Sequence, residues 1–233
     1  MSCDFCQAPP RGKDFSYSKI ISALELLRNA GVKRIKITGG EPLVRKDIIG
    51  IMMACNDLQL DVTLCSNGML LNKDIIECLT EIRAKIKVSV NGPKKIHNSL
   101  VGNDVYDAVL KNIQSCIDSG IFLSIHTLIT KLNFDVFIPM LEICEKLNIP
   151  KISFIPFVPR GRGVVTEGKY AISEFQLLQL QKKIFDLRKK YYPQIDVRYI
   201  DLWTKEYFTL ETNGSLIYSK ERESQDIFIE QLV

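Results

Sequence analysis

No apolar run in this chain is long enough to cross a membrane; the longest are of strand length, far below the roughly 20 residues that a spanning helix needs. No apolar leader is visible, because the first residues are polar and cysteine-bearing. There is no block of lysine and arginine, and a net charge of +4 is too weak to argue for nucleic acid. The cysteines form no even, closely spaced set. Cys3, Cys6, Cys55, Cys65, Cys78, Cys116 and Cys144 are scattered, which does not read as a disulfide framework. None falls in the last 89 residues, so a second cysteine-bound cluster is excluded there. Only two histidines occur, His97 and His126, and no second Cys/His pair sits at ligand spacing, which disfavours zinc. These absences leave a cytoplasmic protein with reduced thiols as the expectation, without a membrane or nucleic-acid partner.

What is present is a 233-residue chain of ordinary globular composition, long enough for one large domain or two small ones. Strand and helix patterns alternate along it. Ser16 can cap a helix carrying Ile20, Ile21, Leu24 and Leu27 and ended by Gly31. Strands are expected at Arg34 to Thr38, Asp61 to Cys65, Ile86 to Val90, Phe122 to Ile129, Lys151 to Phe157 and Asp196 to Ile200. The helices between them are expected at about Lys46 to Asn56, Lys73 to Ile82, Tyr106 to Ser119 and Phe134 to Leu147, with a long one after Ser173. Such alternation implies an α/β fold with parallel pairing and right-handed crossovers. Six strands are too few for a closed eight-fold barrel, so an open, partial (β/α)6-type barrel is expected over residues 1–205. Residues 206–233 form a C-terminal extension, with a candidate hairpin around Asn213-Gly214 and a loosely ordered last dozen residues.

In parallel sheets and barrels, ligands bind at the carboxyl ends of strands. Gly39-Gly40-Glu41-Pro42, Ser66-Asn67-Gly68, Ser89-Val90-Asn91-Gly92 and the segment from Pro156 to Gly163 fall there, and His126 lies on the fourth strand. Each has a plainer reading. A lone Cys-x-x-Cys is as often redox, zinc or chance. A Gly-Gly or Ser-Asn-Gly after a strand is usually a turn. A histidine on an apolar strand is more often a hydrogen-bonded core residue than a ligand, and Arg160 and Arg162 could sit on a solvated loop. Thioredoxin-like chemistry is disfavoured, since Pro9-Pro10-Arg11-Gly12 rather than a helix start follows Cys6.

Taken together, Cys3 and Cys6, Gly39 to Pro42, Ser66-Asn67, Ser89 and the Arg160 segment resemble, in this order, the radical S-adenosylmethionine (SAM) superfamily. The stretch from Ile37 to Asp47 is similar to its molybdenum-cofactor cyclase branch, and Ile155 to Arg162 looks more like its peptide-modifying branch. The cysteine-free C-terminal region argues against the multi-cluster peptide maturases and against the cyclase itself.

The resemblance implies a 4Fe–4S cluster held by Cys-x-x-x-Cys-x-x-Cys, with Cys3 and Cys6 as its last two ligands; thiolates suit such clusters. It implies SAM on the open iron, cleaved reductively to a 5′-deoxyadenosyl radical that abstracts a substrate hydrogen. Phe5 would pack near the adenine edge. Gly39-Gly40 would admit the methionine part, and Glu41 would accept from its ammonium. Pro42, Ser66, Asn67, Ser89 and Asn91 complete the implied cofactor site, with Ser89 and Asn91 toward ribose and carboxylate. The family often has Asp where Asn91 stands. His126, Arg160 and Arg162 are the candidates for a small-molecule or peptide substrate, since guanidinium forks suit carboxylate and phosphate. An electron donor such as a flavodoxin or ferredoxin is implied as a partner.

The first cluster cysteine is expected two residues ahead of Met1, on a longer chain that also carries a preceding strand. The alternative is a degenerate, non-catalytic barrel that binds SAM or a nucleotide and serves a partner protein. A metal-independent barrel enzyme is a third reading, but Glu41 would be its only obvious carboxylate on the site face.

Overall fold

The computed structural model describes residues 3–7, 14–202, 207–211, 213–220 and 223–232. Helix α1 (Tyr17–Asn29) starts where the Ser16 side chain accepts the Lys19 N–H. There follow β1 (Arg34–Ile37), α2 (Ile48–Asp57), β2 (Asp61–Ser66), α3 (Lys73–Glu81), β3 (Lys85–Ser89), α4 (Lys94–Val101) and α5 (Tyr106–Asp118). The chain continues with β4 (Leu123–Ile129), α6 (Phe137–Lys146), β5 (Lys151–Pro156), a short α7 (Glu167–Tyr170), α8 (Glu174–Tyr191) and β6 (Asp196–Tyr199). At the C-terminal end lie β7 (Tyr207–Leu210), β8 (Ser215–Ser219) and β9 (Ile227–Gln231).

The first six strands form one parallel sheet in the order β1-β2-β3-β4-β5-β6, so every sequential pair is also a spatial pair. Register sets what each face carries, because side chains alternate along a strand. Ile86 aligns with Leu123, Val88 with Ile125, and Ile152 with Val197, all fully or almost fully buried. These rows meet Met52, Cys55, Leu79, Ile113, Met140, Cys144 and Leu180 of the covering helices in one apolar core. Burial raises the thiol pKa of Cys55 and Cys116 to about 11 and that of Cys144 to about 12, so these three are packing residues rather than ligands.

The opposite face is polar. Cys65 aligns with Lys87 and Lys87 with Ser124; Ser89 aligns with His126, His126 with Ser153, and Ser153 with Arg198. A closed barrel packs its interior with branched apolar layers. A face of serine, histidine and cationic residues is not such a layer and fits an open, partial barrel.

Two features differ from expectation. Helix α4 was not foreseen: its eight residues follow Pro93 and bury His97, Leu100 and Val101. The last residues are not a loose tail, since β9 pairs with β8 and completes a three-stranded antiparallel sheet. The hairpin forms as expected, with Leu210 opposite Leu216 and the Asn213 side chain accepting the Ser215 N–H. No helix among the described residues is long and apolar enough to cross a membrane.

Candidate functional site

The carboxyl ends of the six parallel strands share one edge, and the residues singled out in the sequence gather along it. After β1, Gly39 takes φ 135°, a backbone conformation that side chains resist. A β-carbon built on Gly39 or Gly40 would meet nothing within 4 Å, so both peptides border open space. Glu41 then caps a 3-10 turn from Pro42 to Val44, with buried Pro42 at its first position, where a missing N–H costs nothing.

Glu41 ties two strands together. Its Oε1 accepts from the Ser66 hydroxyl at 2.8 Å and the Leu43 N–H at 3.2 Å, and its Oε2 accepts from the Asn67 N–H at 2.7 Å. Ser66 is buried, and its Oγ also receives the Gly68 N–H. The Asn67 Oδ1 accepts the Met69 N–H. The site motif of β1 is thereby fixed to that of β2. Glu41 and Ser66 thus hold the edge together, where the sequence suggested direct cofactor contact for both. Ser89 differs: it is exposed at the end of β3, beside half-buried His126.

Asn91 needs the larger correction. It is only 4% exposed, and its Oδ1 accepts the Leu128 N–H, so it joins β3 to β4 rather than facing ribose or carboxylate. Around it lies a polar knot that the sequence did not reveal. The Asn91 N–H donates to His97 Nδ1, and Asn133 Nδ2 donates to the carbonyls of Asn91 and Leu128. Thr127 Oγ1 donates to the Val90 carbonyl. Burial drives the His97 pKa down to about 4, so the ring is neutral and can accept.

The cysteine loop crosses the same edge. Cys3 to Cys6 form a turn closed by the Cys6 N–H on the Cys3 carbonyl. Both thiols are half-buried. Burial and the neighbouring Cys6 raise the Cys3 pKa, while the Arg162 guanidinium works against them. Phe5 is held in a small apolar cluster with Leu100, Phe157 and Tyr170, its ring meeting Tyr170 edge-on at 5.5 Å. Arg160 is not open to a substrate. Its guanidinium grips the Asp226 carboxylate at 2.6 and 3.1 Å and the Lys220 carbonyl at 2.7 Å.

The donor chemistry and the open glycines decide what fits here. Two thiols in one turn suit two ligand positions of an iron–sulfur cluster. The bare peptides of Gly39 and Gly40 stay open to a close approach. Among the described residues, no three His, Cys, Asp or Glu side chains converge as a metal site, so this turn supplies a pair and not a complete set.

Comparison with known proteins agrees with this layout. The GTP 3',8-cyclase of Staphylococcus carnosus is 26% identical over 211 residues, which are 83% of this chain and 62% of that protein. The chain therefore spans less than two thirds of that relative's length. The GTP 3',8-cyclase of Staphylococcus saprophyticus is 25% identical, covering 91% of this chain and 68% of its own. Among solved structures, anSMEcpe with bound AdoMet superposes over 99% of this chain and 73% of its own, with TM-score 0.79 and 16% identity. Streptococcus suis SuiB bound to precursor peptide SuiA covers 92% of this chain and 55% of its own, with TM-score 0.76 and 18% identity. At such identities these two likenesses speak for the fold. The Radical SAM superfamily profile matches residues 1–159, more than half of the chain, and with the Cys3–Cys6 turn and the Gly39–Pro42 edge in place, the chain belongs to the radical SAM superfamily.

Proposed function

We propose that this chain is the catalytic core of a radical SAM enzyme, with residues 1–205 as the partial barrel and 206–233 as its extension. The observation that carries the reading is the Cys3–Cys6 turn held by the segment after β5, with the Gly39-Gly40 peptides open after β1. In this reading Cys3 and Cys6 hold two irons of a 4Fe–4S cluster, and the Gly39-Gly40 peptides receive the methionine part of SAM. When bound, a reduced cluster would supply the one electron that breaks the C–S bond of SAM to its adenosyl group, giving methionine and a 5′-deoxyadenosyl radical.

The residues of the chain do the rest. Glu41 fixes the Gly-Gly turn against β2 through Ser66 and Asn67. Exposed Ser89 offers its hydroxyl at the end of β3. Phe5 keeps the cysteine turn seated on an apolar base that excludes water. The polar face with Lys87, His126 and Arg198 lines the substrate side. The substrate is a cofactor precursor or a peptide, the reaction runs in the cytoplasm, and a flavodoxin or ferredoxin supplies the electron.

The test is anaerobic reconstitution of the gene product with iron and sulfide, then assay for 5′-deoxyadenosine under strong reduction. Product that disappears in Cys6→Ala supports the reading, and no product from iron-loaded protein sinks it. Retained SAM binding without any iron would favour the non-catalytic binding barrel instead. The codons ahead of Met1 bear on the same point, since a cysteine encoded two residues upstream completes the ligand set.

A further inference from the structure

The segment between β5 and α8, which supplies Phe157 and Tyr170 to the cluster around Phe5, touches the cysteine turn along its length. The Arg162 N–H donates to the Cys6 carbonyl at 3.0 Å. The Thr166 hydroxyl donates to the Asp4 carbonyl at 3.1 Å. The Lys169 ammonium reaches the Asp4 carboxylate at 3.2 Å. Tyr170, with Phe157 and Leu100, packs Phe5. Each residue from Asp4 to Cys6 is thus held by this one segment, through a backbone bond, a hydroxyl, an ion pair and an aromatic contact.

The segment is itself anchored at its start. Arg160 and Asp226 are only 12% and 11% exposed in their side chains, and their pair is two-pronged. The Gly161 N–H donates to the Glu223 carboxylate at 3.0 Å. These bonds tie residues 160 and 161 to the loop between β8 and β9. The parallel sheet grips the same segment elsewhere: the Lys131 N–H donates to the Tyr170 carbonyl at the end of β4.

We propose that residues 160–170 are a clasp that positions the cysteine turn, with Thr166 and Lys169 as its positioning residues. A turn of four residues closed by one backbone hydrogen bond has little of its own to order it. Ligand geometry within a fraction of an ångström needs support from outside the ligands. The clasp supplies that support from the backbone side, through the Asp4 and Cys6 carbonyls and the Asp4 carboxylate.

The inference rests on the reading of Cys3 and Cys6 as cluster ligands, but its test needs no cluster. The measurement is the rate of iodoacetamide alkylation of Cys3 and Cys6, read by mass spectrometry against Cys65 as an internal reference on the sheet. In Thr166→Val/Lys169→Gln the two loop cysteines should react about fivefold faster than in the wild type, as expected for losing one hydrogen bond and one exposed ion pair. Cys65 should not change. Thr166→Ser/Lys169→Arg, which keeps the hydroxyl and the charge, should restore the wild-type rate. Unchanged Cys3 and Cys6 rates in the first variant overturn the clasp, and so does equal acceleration at Cys65, which would mean general loosening. Iron binding by the wild type tests the ligand reading separately, so the two can fail independently.

Discussion

Single side chains decide whether the site edge holds together, and two of them give measurable consequences. Glu41 receives three protein donors on one half-buried carboxylate. Glu41→Ala leaves the Ser66 hydroxyl and two backbone N–H groups without that acceptor, and should cost about 2 kcal/mol in urea unfolding. It should also weaken SAM binding by equilibrium dialysis, because the Gly39-Gly40 turn loses its fixed neighbour. His97 gives a pH signature. Its pKa falls to about 4 in the fold because burial disfavours the charged ring. The unfolded chain therefore binds the proton first as pH falls. The stability from neutral His97 is complete above about pH 6.5 and is lost as pH drops through 4, a change of roughly 3 kcal/mol. Urea midpoints at pH 7 and pH 4.5 should show that loss, and His97→Gln should flatten it. Sequence reading found Glu41 but missed the work of His97 and Asn91. Glu41 sits in a motif that can be read locally, whereas the Asn91 side chain meets a partner 37 residues away that no local pattern announces.

Elements were legible where their ends carry their own chemistry. Ser173 is the clearest case: its Oγ accepts the Gln176 N–H while the Gln176 side chain accepts the Ser173 N–H, closing the capping box that starts α8. Ser16, Gly31 and Asn213-Gly214 likewise mark their boundaries in plain sequence. The six parallel strands came out within a residue or two of their expected bounds. Helix α4 escaped because Lys94-Lys95 and a proline start mask a buried face of only three residues. The Arg160 segment was misread for a different reason. Its partner Asp226 lies 66 residues on, in the loop between β8 and β9, which no local pattern links to it. That pair should behave as a buried one. Asp226→Ala would strand a largely buried guanidinium and should cost about 3 kcal/mol. Amide exchange would report the loss as faster opening of β7, β8 and β9, with β2 to β5 unchanged.

At the scale of the whole molecule, the α/β order alone predicts the sheet, since each strand pairs with its sequence neighbour and each crossover is a helix. What the order could not convey is the long closure between the two ends of the parallel sheet. The Thr166 hydroxyl reaches the Asp4 carbonyl across 162 residues of chain, and Lys169 reaches the Asp4 carboxylate across 165. Nearly everything else in the sheet assembles between neighbours, which lets it grow strand by strand as the polypeptide leaves the ribosome. The cysteine turn cannot share that timetable. Cys3 and Cys6 are made before β1, yet the polar groups that hold their turn are made after β5. On the proposed reading of Cys3 and Cys6 as cluster ligands, a nascent chain stalled before Arg162 would present both cysteines without the Arg162, Thr166 and Lys169 contacts that hold their turn.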